Sequence, residues 1–305
     1  EAINRLRTYV PPPTAYGDVP LSRRAAVLIL LYADPKGELR VVITIRSKTL
    51  SSYAGEAALP GGKADTLDET PFQTARREAW EEIGLSDIDQ PLPAPFTVEH
   101  LCELPANLAK TELVVRPCVA LLHSFDEATG ENADPEISLI PKLDAREVAA
   151  VFTARFADFL RLEIKSDDGE HRGKGLSDQG ADPGQWYRGS WSLWHHSNWR
   201  MHQFFVPVND RVVKPRGGQE QRVVEKLEAQ EPSGLQRYRV FGMTARIIVD
   251  AARVAYGREP EFEHNSHFGD EAMIAQLRRM GRLSARRQPS DELTREMMER
   301  AAKLS

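Results

Sequence analysis

Residues 61–85 read GGKADTLDETPFQTARREAWEEIGL, and local signals alone place a helix inside this stretch. Thr70 suits the N-cap, Pro71 the first helical position, and Gln73 completes a capping box with Thr70. Gly84 supplies a left-handed stop. Between them Phe72, Ala75, Ala79 and Ile83 form an apolar stripe, which predicts packing on a sheet. The other face carries Glu78, Glu81 and Glu82, whose spacing spans only about 100° of the helix. Like charges at that spacing destabilise an isolated helix by roughly 0.2–0.5 kcal/mol per pair. Magnesium would turn the repulsion into attraction, because hard cations take carboxylate oxygens and keep some water for chemistry. Arg77 stands beside Glu78 to orient or partly neutralise the cluster, and the Pro60-Gly61-Gly62 turn brings backbone carbonyls towards the same face. Three nearby glutamates alone describe a solvated acidic surface. The glycine turn, capped helix, Arg-Glu pair, Glu-Glu pair and terminal glycine at fixed offsets point instead to a metal site.

The segment resembles the signature box of the Nudix hydrolases. Arg77, Glu78, Glu81, Glu82, Gly84 and Leu85 match in register, and Glu69 lies where the box has its first glutamate. One extra residue sits between Gly62 and Glu69, in the loop, where it leaves the helical carboxylates undisturbed. Just upstream, residues 41–62 (VVITIRSKTLSSYAGEAALPGG) are similar to the signature of the coenzyme A diphosphatase branch. Thr44, Arg46, Ser47, Gly55, Pro60, Gly61 and Gly62 agree with it; Ser51 stands where that signature has an arginine, and Leu59 where it has a phenylalanine. Ser51 lacks the positive charge of that arginine, which weakens a phosphate contact. Leu104-Pro105, Glu147-Val148 leading to Phe152, and residues 238–246 also look like that branch.

The resemblance implies an α/β (α+β) Nudix fold, a mixed sheet sandwiched between helices. It implies Mg2+ or Mn2+ bound by Glu78 and Glu82, with help from Glu81 and the Gly62 carbonyl. Catalytic roles would fall to Glu81, Glu78 and Arg77, and substrate contacts to Arg46 and Ser47. Arg46 is a phosphate clamp in this reading because its planar fork suits phosphate oxygens. The proton from the attacking water would go to Glu81, or to a glutamate on a distal loop such as Glu136 or Glu147. The implied reaction is hydrolysis of coenzyme A or its derivatives to adenosine 3′,5′-bisphosphate and 4′-phosphopantetheine. An oxidised nucleoside triphosphate or a dinucleotide is the alternative substrate. A catalytically idle nucleotide-binding module is the alternative of another class, and its expected mark would be a broken carboxylate set.

The 305 residues, 41% hydrophobic and 28% charged, describe a globular chain of one large domain or two ordinary ones. A net charge of -5 gives no whole-molecule attraction to nucleic acid or anionic membrane, so the expected partner is a small nucleotide-type molecule of the coenzyme A class. No apolar run is long enough to cross a bilayer, so no membrane partner is expected. A homodimer is left open. The charged, proline-rich start lacks the apolar core of a secretory signal, and because it opens on Glu1 a preceding segment is left open too. Cys102 and Cys118 read as buried free thiols, which suits a reducing compartment. The expected location is intracellular, cytoplasmic or peroxisomal. Lys303-Leu304-Ser305 nearly spells a peroxisomal address, which Ser305 spoils as written.

Along the chain, residues 1–21 read as an N-terminal arm, 22–256 as the Nudix domain, and 257–305 as a C-terminal extension. Strands are expected over residues 25–32, 39–45, 97–104, 113–122 and 201–208, with residues 144–160 helical or mixed. Residues 237–256 predict strand, turn and helix, and 270–283 an amphipathic stretch. A polar insertion, 163–198, carries Trp186, Trp191 and Trp194; a second covers 209–234. The tryptophans suggest a lid over the substrate, against packing or a dimer contact. His264 and His267 superficially suggest a metal site, for which helix capping by Asp270 is the plainer account, and the arginines from Arg278 to Arg287 a solvated helix face.

Overall fold

The computed structural model describes residues 1–50, 53–87, 92–135, 139, 143–165, 171–172, 185–194, 197–207, 237–285 and 294–303. Glu136, Ser51, His195-His196, Arg286-Arg287, most of the first insertion and all of the second lie outside the described residues.

The central sheet is built on β1 (Arg24–Ala33) and β7 (Val114–His123), which pair in parallel. Both are nearly continuous apolar runs, as expected of strands covered on both faces. β2 (Leu39–Arg46) flanks β1 and β5 (Thr97–Glu103) flanks β7, both antiparallel. β10 (Val148–Arg155) adds to β2, giving the order β10-β2-β1-β7-β5. Short strands β3 (Ala57–Ala58), β4 (Gly61–Lys63) and β6 (Asn107–Leu108) pair with β2, β1 and β7 respectively. β8 (Phe125–Asp126) with β9 (Glu131–Asn132), and β11 (Ile164–Lys165) with β12 (His171–Arg172), are small peripheral hairpins. A second antiparallel sheet runs β13 (Tyr187–Trp194), β14 (Ser197–Pro207), β15 (Arg237–Phe241).

Side-chain alternation along β1 divides the core. Ala26, Leu28, Leu30 and Tyr32 face helix α2 (Pro71–Ile83) and pack with its Ala75, Ala79 and Ile83. Ile29 and Leu31 belong to the opposite core, with Ile247, Ile248 and Ala251 of α3 (Gly242–Tyr256). A third cluster joins Tyr16 and Leu108 to Ile274 and Leu277 of α4 (Glu271–Arg279) and Met298 of α5 (Arg295–Ala302).

The segment expected to be helical or mixed, 144–160, is instead strand β10 followed by a 3-10 turn, Phe156–Leu160. Within it Ala150, Phe152 and Ala154 face one core and Val151 the other, as strand alternation requires, and the edge of β2 supplies the backbone partners. The N-terminal residues do not stand away from the body. Helix α1 (Ala2–Thr8) buries Leu6 in the core with α3, while Arg7 bonds both carboxylate oxygens of Glu99. Trp186 is core as well, edge-on to Phe159 and tilted against Phe204.

Candidate active site

The geometry of α2 begins with its ends. Thr70 Oγ1 accepts from the Gln73 N–H at 3.2 Å and Gln73 Oε1 accepts from the Thr70 N–H at 2.8 Å, so the capping box is formed. Gly84, at φ 70°, closes the last turn by donating to the Trp80 carbonyl. Thus anchored, α2 lays its carboxylates beside the glycine loop. Gly61 pairs with Val27, and a Cβ on Gly62 would stand 2.5 Å from the Glu78 carboxylate. Only a residue without a side chain lets helix and loop come this close.

Glu82 is buried and accepts from the Gly61 N–H at 3.2 Å. Burial pushes its carboxyl up to about 8; the Gly61 bond and Arg46 oppose this, whereas Glu78 and Glu147 reinforce it. Burial likewise raises Glu78, against the pull of Arg77. Arg77 organises the rest. It donates to Glu69 at 2.8 Å, to the Lys63 carbonyl at 2.8 Å, to Glu78 at 3.2 Å and to half-exposed Glu81 at 3.3 Å. Glu69 also accepts from the Asp65 N–H and the Thr74 hydroxyl, fixing the loop before the helix.

Among the described residues no three carboxylate, imidazole or thiol groups converge into a ready-made metal cluster. Glu78 and Glu81 are turned towards Arg77, which acts as a cation standing among them. The donor set nevertheless fits a hard divalent ion. A buried carboxyl, Glu82, and a half-buried one, Glu78, both raised by desolvation, on one helix face and against a backbone loop, would be relieved by a cation that takes oxygen ligands.

The two residues expected to touch substrate part company. Arg46, at the end of β2, lines the cavity next to Gly61 and Gly62, and its Nε is buried with no hydrogen-bond partner among the described residues. Ser47 does not line that cavity; its hydroxyl meets Thr49 Oγ1 at 2.9 Å and its N–H donates to the Glu147 carbonyl at 2.8 Å. Ser47 therefore holds the loop that carries Glu147. The cavity, about 1160 Å³, also takes in Trp199, Met201, Phe241 and Met243. Sequence reading missed these four, because they come from separate segments that only the second sheet and α3 gather. Trp186 and Trp191 do not line it.

His264, for which a metal role was not expected, sits with His202 in a buried relay. Tyr187 Oη meets His202 Nδ1 at 2.9 Å, His202 Nε2 meets His264 Nδ1 at 2.7 Å, and His264 Nε2 meets Asp250 at 2.9 Å. Burial, then His264 and two arginines, pushes His202 down to about 2, so its ring is neutral. Every ring nitrogen of the pair is already used in side-chain bonding.

A NUDIX domain matches residues 22–172. With this mixed sheet and this helix of carboxylates, the chain belongs to the Nudix hydrolases. It is similar to peroxisomal coenzyme A diphosphatase 1 of Saccharomyces cerevisiae, 29% identical over 298 residues, 92% of this chain and 83% of that protein. It is 30% identical over 240 residues to Nudix hydrolase 15, mitochondrial, of Arabidopsis thaliana, covering 79% of this chain and 61% of the relative. The chain thus spans less than two thirds of that plant protein. A peroxisomal coenzyme A diphosphatase of Caenorhabditis elegans is 39% identical over 99 residues, 32% of this chain and 39% of its own length.

Proposed function

We propose that this Nudix hydrolase cleaves the diphosphate of coenzyme A or its derivatives, releasing adenosine 3′,5′-bisphosphate and 4′-phosphopantetheine. The observation that carries the reading is the contact between loop and helix: Gly61, Gly62 and Arg46 line a large cavity while Gly61 and Gly62 touch Glu82 and Glu78. The upstream signature and the names of the yeast and worm relatives support coenzyme A as the class of substrate.

In this reading Glu78 and Glu82 hold Mg2+ or Mn2+, with Glu81 and the Gly62 carbonyl completing the set. When bound, such ions polarise the diphosphate and lower the pKa of an attacking water. The chain's own residues do the rest. Arg46 takes a phosphate oxygen with its unpaired Nε, and Arg77 keeps Glu78 and Glu81 in place. The water's proton goes to Glu81 or to Glu147, whose charge is felt by both Glu78 and Glu82. Among the described residues no helix is long and apolar enough to cross a membrane. A cytoplasmic or peroxisomal location is part of the proposal, supported by the printed name of the yeast relative.

The test is a screen of purified protein with Mg2+ or Mn2+ against coenzyme A, nucleotide sugars, dinucleotides and nucleoside triphosphates, with products identified by mass. Coenzyme A should give the two named products and dephospho-coenzyme A should be cleaved less well. Turnover of nucleoside triphosphates with none of coenzyme A would move the assignment to them. Binding without turnover of any compound would mark an idle module.

A further inference from the structure

The chain carries two cysteines and six methionines, and their placement is uneven. Met201 of β14, Met243 of α3, Met273 of α4 and Met298 of α5 all line the cavity beside the glycine loop, whereas Met280, Met297 and both cysteines do not. All four lie beyond the NUDIX match, which ends at residue 172. We propose that this methionine wall is an oxidation site, at which hydrogen peroxide converts the thioethers of Met201, Met243 and Met273 to sulfoxides and so weakens substrate binding. The oxidation stands on the wall alone; the loss of binding rests on the reading above that the cavity takes the substrate.

Three observations carry the proposal. The first is access. A cavity of about 1160 Å³ has ample room for peroxide, a molecule not much larger than water, whose share of the liquid is ~30 Å³. Met201, Met243 and Met273 are partly exposed, so the oxidant reaches them without unfolding, while Met298 is only 1% exposed. The second is competition. A thiol is a good target for peroxide only as its thiolate. Burial, reinforced by Glu103, pushes the Cys102 thiol up to about 12 and the Cys118 thiol well above its ordinary value. Both stay protonated at neutral pH, which leaves the oxidant to the thioethers. The third is what a sulfoxide does at this wall. Met243 packs against the core of Ile247 and Ile248, and Met273 against the cluster of Ile274 and Leu277. A sulfoxide oxygen turned into either core would go without hydrogen bonds, so it turns into the cavity. There it narrows the space and sets a polar acceptor on an apolar surface.

The step balances between the two reactants. The sulfur lone pair attacks one peroxide oxygen and the O–O bond breaks. The departing hydroxide takes the proton of the transferred oxygen and leaves as water. Sulfur is oxidised by two electrons and peroxide is reduced by two.

The experiment treats the full chain with graded hydrogen peroxide, quenches with catalase and locates sulfoxides by peptide mass spectrometry. KM and kcat for coenzyme A are measured with Mg2+ on the same samples, with circular dichroism as the check of fold. Sulfoxide should form at Met201, Met243 and Met273 about tenfold or more faster than at Met298, which waits for local opening of α5. KM should rise by about tenfold, as an unmatched polar group on an apolar wall gives, with kcat changed little because the carboxylates carry no sulfur. Met201→Leu, Met243→Leu and Met273→Leu together, a volume-conserving change, should abolish the rise in KM when each protein is compared with its own untreated sample. Met280→Leu with Met297→Leu should lose binding as the parent does. If the triple variant does not fold, each single replacement should protect in part. The proposal falls if peroxide spares the three wall positions, or if they oxidise with KM unchanged. It falls equally if the folded triple variant loses binding as fully as the parent, or if oxidised protein unfolds before KM rises. A parent that does not act on coenzyme A overturns the substrate reading instead; the order of oxidation, and KM for the compound that is cleaved, then decide this proposal.

Discussion

A Cβ added at Gly61 would lie 2.3 Å from the Ala26 carbonyl oxygen and 2.6 Å from Val27 Cα, both backbone atoms, at a φ of 151°. Neither can give way, so Gly61→Ala should cost stability, about 1–3 kcal/mol by denaturant unfolding. At Gly62 the three atoms nearest the added carbon all belong to the Glu78 carboxylate, the free end of a side chain. Gly62→Ala should therefore unfold near the parent midpoint yet displace a proposed metal ligand, lowering kcat by roughly 100-fold. Equal loss of stability at the two positions would contradict this division. Glu82→Gln should likewise keep the fold. The carboxyl, pushed up to about 8 by burial, already carries its proton at neutral pH in metal-free protein, and the amide is close to it in shape. Its kcat in saturating Mg2+ should fall by about 100-fold or more; near-normal turnover would remove Glu82 from the metal site.

The helix that decides the fold was legible as an element because its signals are local. Cap, first-turn proline, apolar stripe and terminal glycine all lie within sixteen residues of one another, from Thr70 to Leu85. β10 was not, because Val148 to Ala154 becomes a strand only when the edge of β2 is there to pair with it. Helix α1 shows the same dependence. Its attachment rests on Leu6 and on Glu99 of β5, whose carboxylate Arg7 and His123 both bind. The Arg7 hydrogen bond, aided by His123, holds Glu99 down at about 2 against the opposing effect of burial. A depressed carboxylate stabilises the fold above its unfolded value, about 4.5, and that contribution fades as pH falls towards 2. The groups are solvated, so the contribution stays below about 1 kcal/mol. Glu99→Gln should lower Tm at pH 7 by about 2 °C or less, and the gap to the parent should narrow below about pH 4.5. A gap that widens in acid would refute the pairing.

At the scale of the whole molecule, several of the described residues beyond 256 are part of the core. Phe262 packs on Tyr187 with ring centroids 4.1 Å apart, Ile274 and Met298 are fully buried, and Asp270 partners Arg246, whose side chain is 1% exposed. A chain ending at Tyr256 leaves that guanidinium without its carboxylate, a loss of about 3–5 kcal/mol before any apolar surface is counted. Such a truncation should fail to unfold cooperatively in a calorimeter, whereas a normal transition would show the extension to be separable. The tryptophans obey the same logic. Trp186 is core, and Trp191, 47% exposed, bonds Glu263 and stacks under Arg200. Among the tryptophans whose side chains are described, Trp199 lines the cavity, just outside the segment whose composition suggested a lid.

By itself the sequence determined the family, the helix Pro71–Ile83 and its carboxylate face, because capping, helical periodicity and the spacing of like charges are properties of neighbouring residues. Only the tertiary structure decided what the cavity is made of. Trp199, Met201, Met273 and Met298 are far from the glycine loop in the chain and carry no shared pattern. They meet because one sheet buries both of its faces, and the elements that cover the second face must close over the end where the glycine loop lies.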